Sequence, residues 1–125
     1  MKNIALALSL AAGLLATTAA AQQGRTLEQF VVEANRLQLN PTALLSPTAR
    51  RLGREVDAGF DQIGRDMRAD RTAGRPPIAC PPEKMQLNPR QLRDFLNTIP
   101  QARRQRMTVT DGLKAWMTNR YPCRS

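Results

Sequence analysis

Residues 46–70 read SPTARRLGREVDAGFDQIGRDMRAD, and the spacing of their apolar side chains decides the fold class. Ala49, Leu52, Val56, Phe60, Ile63 and Met67 recur at intervals of three or four, which draws one apolar stripe along a helix. Ser46-Pro47 supplies the start, because a serine oxygen accepts from the free amides of a first turn and proline at the first helical position forfeits no hydrogen bond. The spacing predicts a helix over 47–70. Gly53, Gly59 and Gly64 lower its intrinsic helicity by up to about 1 kcal/mol each, so packing must favour it over propensity. Small residues near the stripe also let a second helix approach closely. Asp57 and Asp61, and likewise Asp66 and Asp70, share helix faces, where paired carboxylates can do acid and base work or bind a cation. Arg54, Arg65, Arg68 and Arg71 are interleaved with them, and Asp61 to Arg65 is itself a four-residue pair, so the face reads as solvated and salt-bridged.

On the N-terminal side, Thr26 with Gln29 has the form of a capping box, followed by Leu27, Phe30, Val31, Ala34 and Leu37 at helical spacing. A first helix over 26–38 follows. Asn40-Pro41 then breaks it and leaves a short helical turn near 42–45. On the C-terminal side, Gly74, Pro76, Pro77, Pro81 and Pro82 exclude regular structure, so 71–84 is a Pro-rich crossing loop. Asn88-Pro89 begins a third helix with Leu92, Phe95, Leu96 and Ile99 on one face, and Pro100 ends it. Thr108 with Asp111 opens a last helix carrying Val109, Gly112, Leu113, Trp116 and Met117, stopped by Tyr121-Pro122-Cys123. Trp116 and Phe95 read as core aromatics on apolar faces. Gln-Leu-Asn-Pro occurs at both 38–41 and 86–89, too short for an internal repeat and read as the same capping chemistry used twice. No segment reads as a strand. The fold class is therefore all-α, a small bundle of about four helices in one domain spanning 22–125.

The chain's 125 residues are one domain's worth of sequence, 42% apolar and without a histidine. The missing imidazole removes the commonest general base and the commonest zinc ligand. No Gly-rich phosphate loop, zinc spacing or nucleophile elbow is present either, so no catalytic residue, metal or cofactor is assigned and the chain reads as a non-enzyme. Residues 1–21 have the form of a secretory signal peptide: Lys2, an apolar run from Ile4 to Ala16 broken only by Ser9, then Ala19 and Ala21 as the small residues before a cleavage between Ala21 and Gln22. The run covers 13 positions, short of the roughly 20 that span a bilayer, so no membrane span is expected in the mature chain. The expected location is the periplasm. In an exported chain Cys80 and Cys123 read as one disulfide, which on the chain-entropy account stabilises the fold by about 4 kcal/mol.

Without Lys2 the chain keeps 18 basic and 10 acidic side chains, a formal net charge of +8. Arginine supplies 16 of the basic residues, a bias that suits pairing with carboxylate or phosphate. Nucleic acid is disfavoured by the leader and by a single Trp and a single Tyr, which offer no ladder for base stacking. The most concentrated basic feature is Arg103-Arg104-Gln105-Arg106, between the third and last helices. Arg103, Arg104 and Arg106 are the candidate contacts for an acidic partner, and a merely solvated basic face is the bland reading beside it.

Cys80-Pro81-Pro82-Glu83, then Gln91-Leu92, Phe95-Leu96 with Ile99-Pro100, Gly112-Leu113 and Tyr121-Pro122-Cys123, resembles the C-terminal half of the periplasmic amidase-immunity (Tai/Rap) proteins of type VI secretion systems. The resemblance covers residues 80–123 and rests on the paired cysteines, the proline positions and the helix lengths between them. It implies an all-helical periplasmic protein that binds, often as a homodimer, a peptidoglycan-cleaving amidase and blocks its cleft. Only Cys80 and Cys123 carry a family position across, and this chain has no Cys before position 80. The expected function is a non-catalytic protein-binding domain of that kind. The alternatives are a small helical periplasmic chaperone and an envelope protein of general role.

Overall fold

A computed structural model of the protein describes residues 24–124. The expected leader and its cleavage site at Ala21 and Gln22 lie outside the described residues. Helix α1 spans Leu27–Asn35, a 3-10 turn spans Ala43–Leu45, α2 spans Pro47–Thr72, α3 spans Pro89–Thr98, α4 spans Gln101–Arg104 and α5 spans Val109–Arg120. The all-α class with one disulfide is thus the observed one. The only β pairing among the described residues is an isolated antiparallel bridge between Thr26 and Thr108.

The caps explain where the helices begin. Thr26 and Thr108 each accept from the backbone three residues on, Gln29 N at 3.2 Å and Asp111 N at 3.1 Å, while the Gln29 and Asp111 side chains return to the cap amides. Ser46 caps α2 through Ala49 N at 3.1 Å. Asn88 Oδ1 caps α3 through Arg90 N at 2.9 Å.

Two ends differ from the sequence reading. α1 stops at Asn35, where the last turn tightens with Arg36 N donating to Glu33 O and Leu37 N to Ala34 O, both at 3.1 Å, and the Asn35 side chain exchanges hydrogen bonds with that of Asn97 of α3 at 3.0 and 2.9 Å. α2 runs on to Thr72 and ends where Gly74 adopts φ of 74°, with Arg75 N donating to Asp70 O at 2.8 Å and Gly74 N to Arg71 O at 3.2 Å. A further difference is α4. The stretch after Pro100 forms a short helical turn, since the Pro100 carbonyl accepts from both Arg103 N at 2.9 Å and Arg104 N at 3.0 Å.

α2 packs chiefly along α5, and α1 and α3 close over the same core. Leu27, Val31, Ile63, Leu96 and Leu113 are the largest fully buried side chains. Burial of each is worth about 1.5–3 kcal/mol. Two glycines allow the approach: a Cβ at Gly59 would lie 2.5 Å from Leu113 Cδ1, and one at Gly112 would lie 2.8 Å from Leu27 Cδ1. Trp116 is buried, with its ring edge-on to Phe60 at 5.9 Å and to Tyr121 at 5.8 Å, and Phe95 packs against the core as a half-buried neighbour.

The Pro-rich segment after α2 is held to the end of α5. Cys80 N donates to Tyr121 O at 2.8 Å, Thr118 Oγ1 donates to Ile78 O at 3.3 Å, and Ala79 between them is buried. Cys80 and Cys123 form the disulfide, with Cα atoms 5.0 Å apart.

Candidate functional site

The three walls of the principal cleft come from α1, the first half of α2 and the start of α3. Phe30, Val31 and Ala34 face it from α1, Leu52, Gly53 and Val56 from α2, and Leu92 and Leu96 from α3. It encloses about 210 Å³ and opens to the surface. Its lining is almost wholly apolar, with Asp57 and Arg93 the charged members.

The repeated tetrapeptide builds the mouth. In the first copy Asn40 Oδ1 accepts from Ala43 N at 2.8 Å to start the 3-10 turn; in the second Asn88 starts α3. Each copy thereby places the leucine ahead of its asparagine, Leu39 or Leu87, at the same cleft. Leu44 and Leu87 at this mouth are 40% and 38% exposed, and neighbouring Leu45 is 70% exposed. Together these leucines leave apolar surface exposed around the opening of the cleft.

The walls are fixed in place. Arg93 Nη1 donates to Leu37 O at 3.1 Å and ties the segment after α1 to α3, beside the Asn35 and Asn97 amide pair. Arg25 bridges Glu33 of α1 to Glu55 of α2, the latter at 2.7 Å, and Arg51 also pairs with Glu33. Gly53 lies exposed at the edge of the cleft. A Cβ there would meet nothing within 4 Å, unlike those at Gly59 and Gly112. Chemically the cleft offers apolar contact and a preformed shape, the properties of a binding site for an apolar group.

The sequence-predicted residues fall elsewhere. Arg104 is committed to the fold: Nε pairs with Glu28 at 2.6 Å and Nη1 donates to Ile99 O at 2.8 Å, with both charged side chains largely covered. Arg103 and Arg106 are exposed, and neither has an ion-pair partner among the described residues. The three arginines therefore do not form one free patch. The expected Asp61 to Arg65 pair is replaced by Arg65 donating to Gln62 Oε1 at 2.7 Å. The Gln62 amide donates in turn to Asp66 at 2.8 Å, and with Lys114 at 3.4 Å it holds the Asp66 carboxyl below its ordinary value. Asp70 pairs with Arg75 at 2.9 Å. No three metal-ligating side chains come together among the described residues, and no helix there is long and apolar enough to cross a membrane.

The cleft itself escaped the sequence reading. Its one available signal was the doubled Gln-Leu-Asn-Pro, whose leucines have no place in either helical stripe.

No family model, curated protein or solved structure matches the chain.

Proposed function

We propose that this chain is an exported protein-binding domain, and that its partner is a peptidoglycan-cleaving amidase which it holds and blocks. One observation carries the binding part: an apolar cleft of about 210 Å³ with exposed leucines at its mouth, on walls that hydrogen bonds and ion pairs hold in place. A preformed apolar hollow with few polar groups suits recognition of side chains from another molecule. The amidase as partner is supported by the resemblance of residues 80–123, whose two cysteines are joined, as that family pattern implies. A cystine also favours an oxidising compartment such as the periplasm.

The test is a pull-down with residues 22–125, disulfide formed, against the producing organism's periplasmic extract at moderate salt, followed by co-expression with the recovered protein. One amidase in stoichiometric amount, with cells protected from it, is the expected result. Failure to protect removes the immunity role. Recovery of many unrelated clients would instead favour a chaperone, a reading that the 70% exposure of Leu45 also supports. Size-exclusion chromatography of the same material reads out the homodimer that the resemblance implies.

A further inference from the structure

The segment between α2 and α3 crosses the end of α5 with few non-covalent ties. Residues 76–82 read PPIACPP, so four of the seven have no amide hydrogen to donate. Of the other three, Cys80 alone donates to a backbone carbonyl among the described residues, that of Tyr121 at 2.8 Å. A second tie is the Thr118 hydroxyl on Ile78 O at 3.3 Å. The same hydroxyl reaches Lys114 O at 2.9 Å, so its one hydrogen is shared and Ile78 has the longer branch. Ala79 is 1% exposed, yet alanine offers the smallest of apolar side chains to bury, and residues 73–78, 80 and 82–84 are all exposed.

The helices on either side are seated without this segment. α2 packs along α5, and α3 packs on both α1 and α5. Regions with few buried apolar contacts and few protected amides are those that open first, while the packed core stays closed. The remaining tie is the cystine. Cys80 and Cys123 are both exposed, and Cys123 lies just past α5, in the terminal stretch rather than in the core. Thiol–disulfide exchange needs such access, because a thiolate must reach a sulfur of the bond.

We propose that the Cys80–Cys123 bond is a redox latch on a strap formed by residues 76–84. A dithiol reductant opens it, the strap leaves α5, and the helices stay packed. One reductant thiolate attacks a cystine sulfur, which gives a mixed disulfide and releases the other cysteine as a thiolate that takes up a proton. The second reductant thiol then displaces the remaining cysteine. Two electrons and two protons thus pass to the protein, and the reductant closes into its own disulfide. Opening frees the Tyr121 carbonyl and the seat of Ala79 beside Thr118, a surface that the oxidised protein keeps covered. The inference is independent of the protein-binding reading.

The experiment uses residues 22–125 in three forms: oxidised, reduced with dithiothreitol, and as Cys80→Ser with Cys123→Ser. Far-UV circular dichroism at 25 °C should show the helices intact in all three. Amide hydrogen exchange, followed by nuclear magnetic resonance, should quicken at least about tenfold at position 80 on reduction and in the double variant, and less than about threefold at Val31 and Leu113. Dithiothreitol should reduce the folded protein within about tenfold of the rate in urea, where the bond is fully accessible. Loss of the helices on reduction, or an equal quickening at Val31 and Leu113, makes the bond a staple of the whole fold and overturns the proposal. A smaller change at position 80, or slower reduction of the folded protein, overturns it as well.

Discussion

Gly112 of α5 lies directly against Leu27 of α1: a Cβ built at position 112 would sit 2.8 and 2.9 Å from the two Leu27 methyl carbons and 3.1 Å from Leu96 Cδ2. Leu27 has no exposed surface and Leu96 almost none, so neither can swing away. Gly112→Ala is therefore expected to destabilise the protein by about 1–3 kcal/mol through overpacking, despite alanine's better helix propensity. Gly53→Ala, with nothing in the way, should stabilise it by up to about 1 kcal/mol. Urea denaturation of the two variants beside wild type checks both signs at once, and a stable Gly112→Ala would mean that the two helices are not in this contact.

The Arg104 guanidinium joins three elements, pairing with Glu28 of α1 while donating to Ile99 O, just past α3, from its own position at the end of α4. Arg104→Ala leaves a covered carboxylate and a covered carbonyl without their donor. A loss of about 2 kcal/mol is expected, discounted from the fully buried case because both side chains keep some solvent contact. Arg103→Ala and Arg106→Ala should each stay within about 0.5 kcal/mol, as exposed substitutions do. Thermal melts of the three variants separate a structural arginine from two surface ones, and a double-mutant cycle of Arg104→Ala with Glu28→Ala isolates the pair.

Cys80 and Cys123 are 43 positions apart, and their bond closes the crossing loop, α3, α4 and α5 into one ring. Reduction, or Cys80→Ser with Cys123→Ser, should cost about 4 kcal/mol on the loop-entropy account. The reduced protein should melt well below the oxidised one by circular dichroism, with and without dithiothreitol. Coincident melting curves would show that the hydrogen bonds pinning Ile78 and Cys80 to α5 suffice alone.

Asp66 is held below its ordinary value of 3.8, first by the Gln62 amide and then by Lys114. The unfolded chain thus binds a proton at Asp66 at higher pH than the native protein does. Its contribution is complete above the ordinary value and lost as pH falls through the lowered native one. Asp66→Asn should lower neutral-pH stability slightly while leaving stability below the native titration unchanged, which flattens the acid slope. Because the side chain is exposed, the effect is small. Urea midpoints at pH 3 and pH 6, interpreted through that linkage, would find it, and an identical acid slope in both proteins would refute it.

Much of the helical order was legible because it is written in local signals. The stripe from Ala49 to Met67, the capping box of Thr26 with Gln29, and the Asn88-Pro89 start depend on residues at most a few positions apart. Contacts between distant positions were less legible, as with Asn35, whose partner Asn97 lies 62 positions away. The arginine cluster was visible as a cluster, yet nothing in Arg103-Arg104-Gln105-Arg106 distinguishes the member that reaches Glu28, 76 positions back. The cleft was illegible for the same reason. Leu39 and Leu87 are brought to one mouth only by the packing of α1 on α3, so a doubled tetrapeptide that reads as repeated punctuation proves to be two halves of one surface.

The bridge between Thr26 and Thr108, with Leu27 N donating to Met107 O at 2.8 Å, fastens the first helix to the last. Closing so long a loop precedes any gain from the contacts it brings together. A chain truncated before α5 would leave Leu27 without the Gly112 backbone packed on it, and α1 would lose the bridge at Thr26. The seat of α1 is therefore complete only with the final stretch of polypeptide in place.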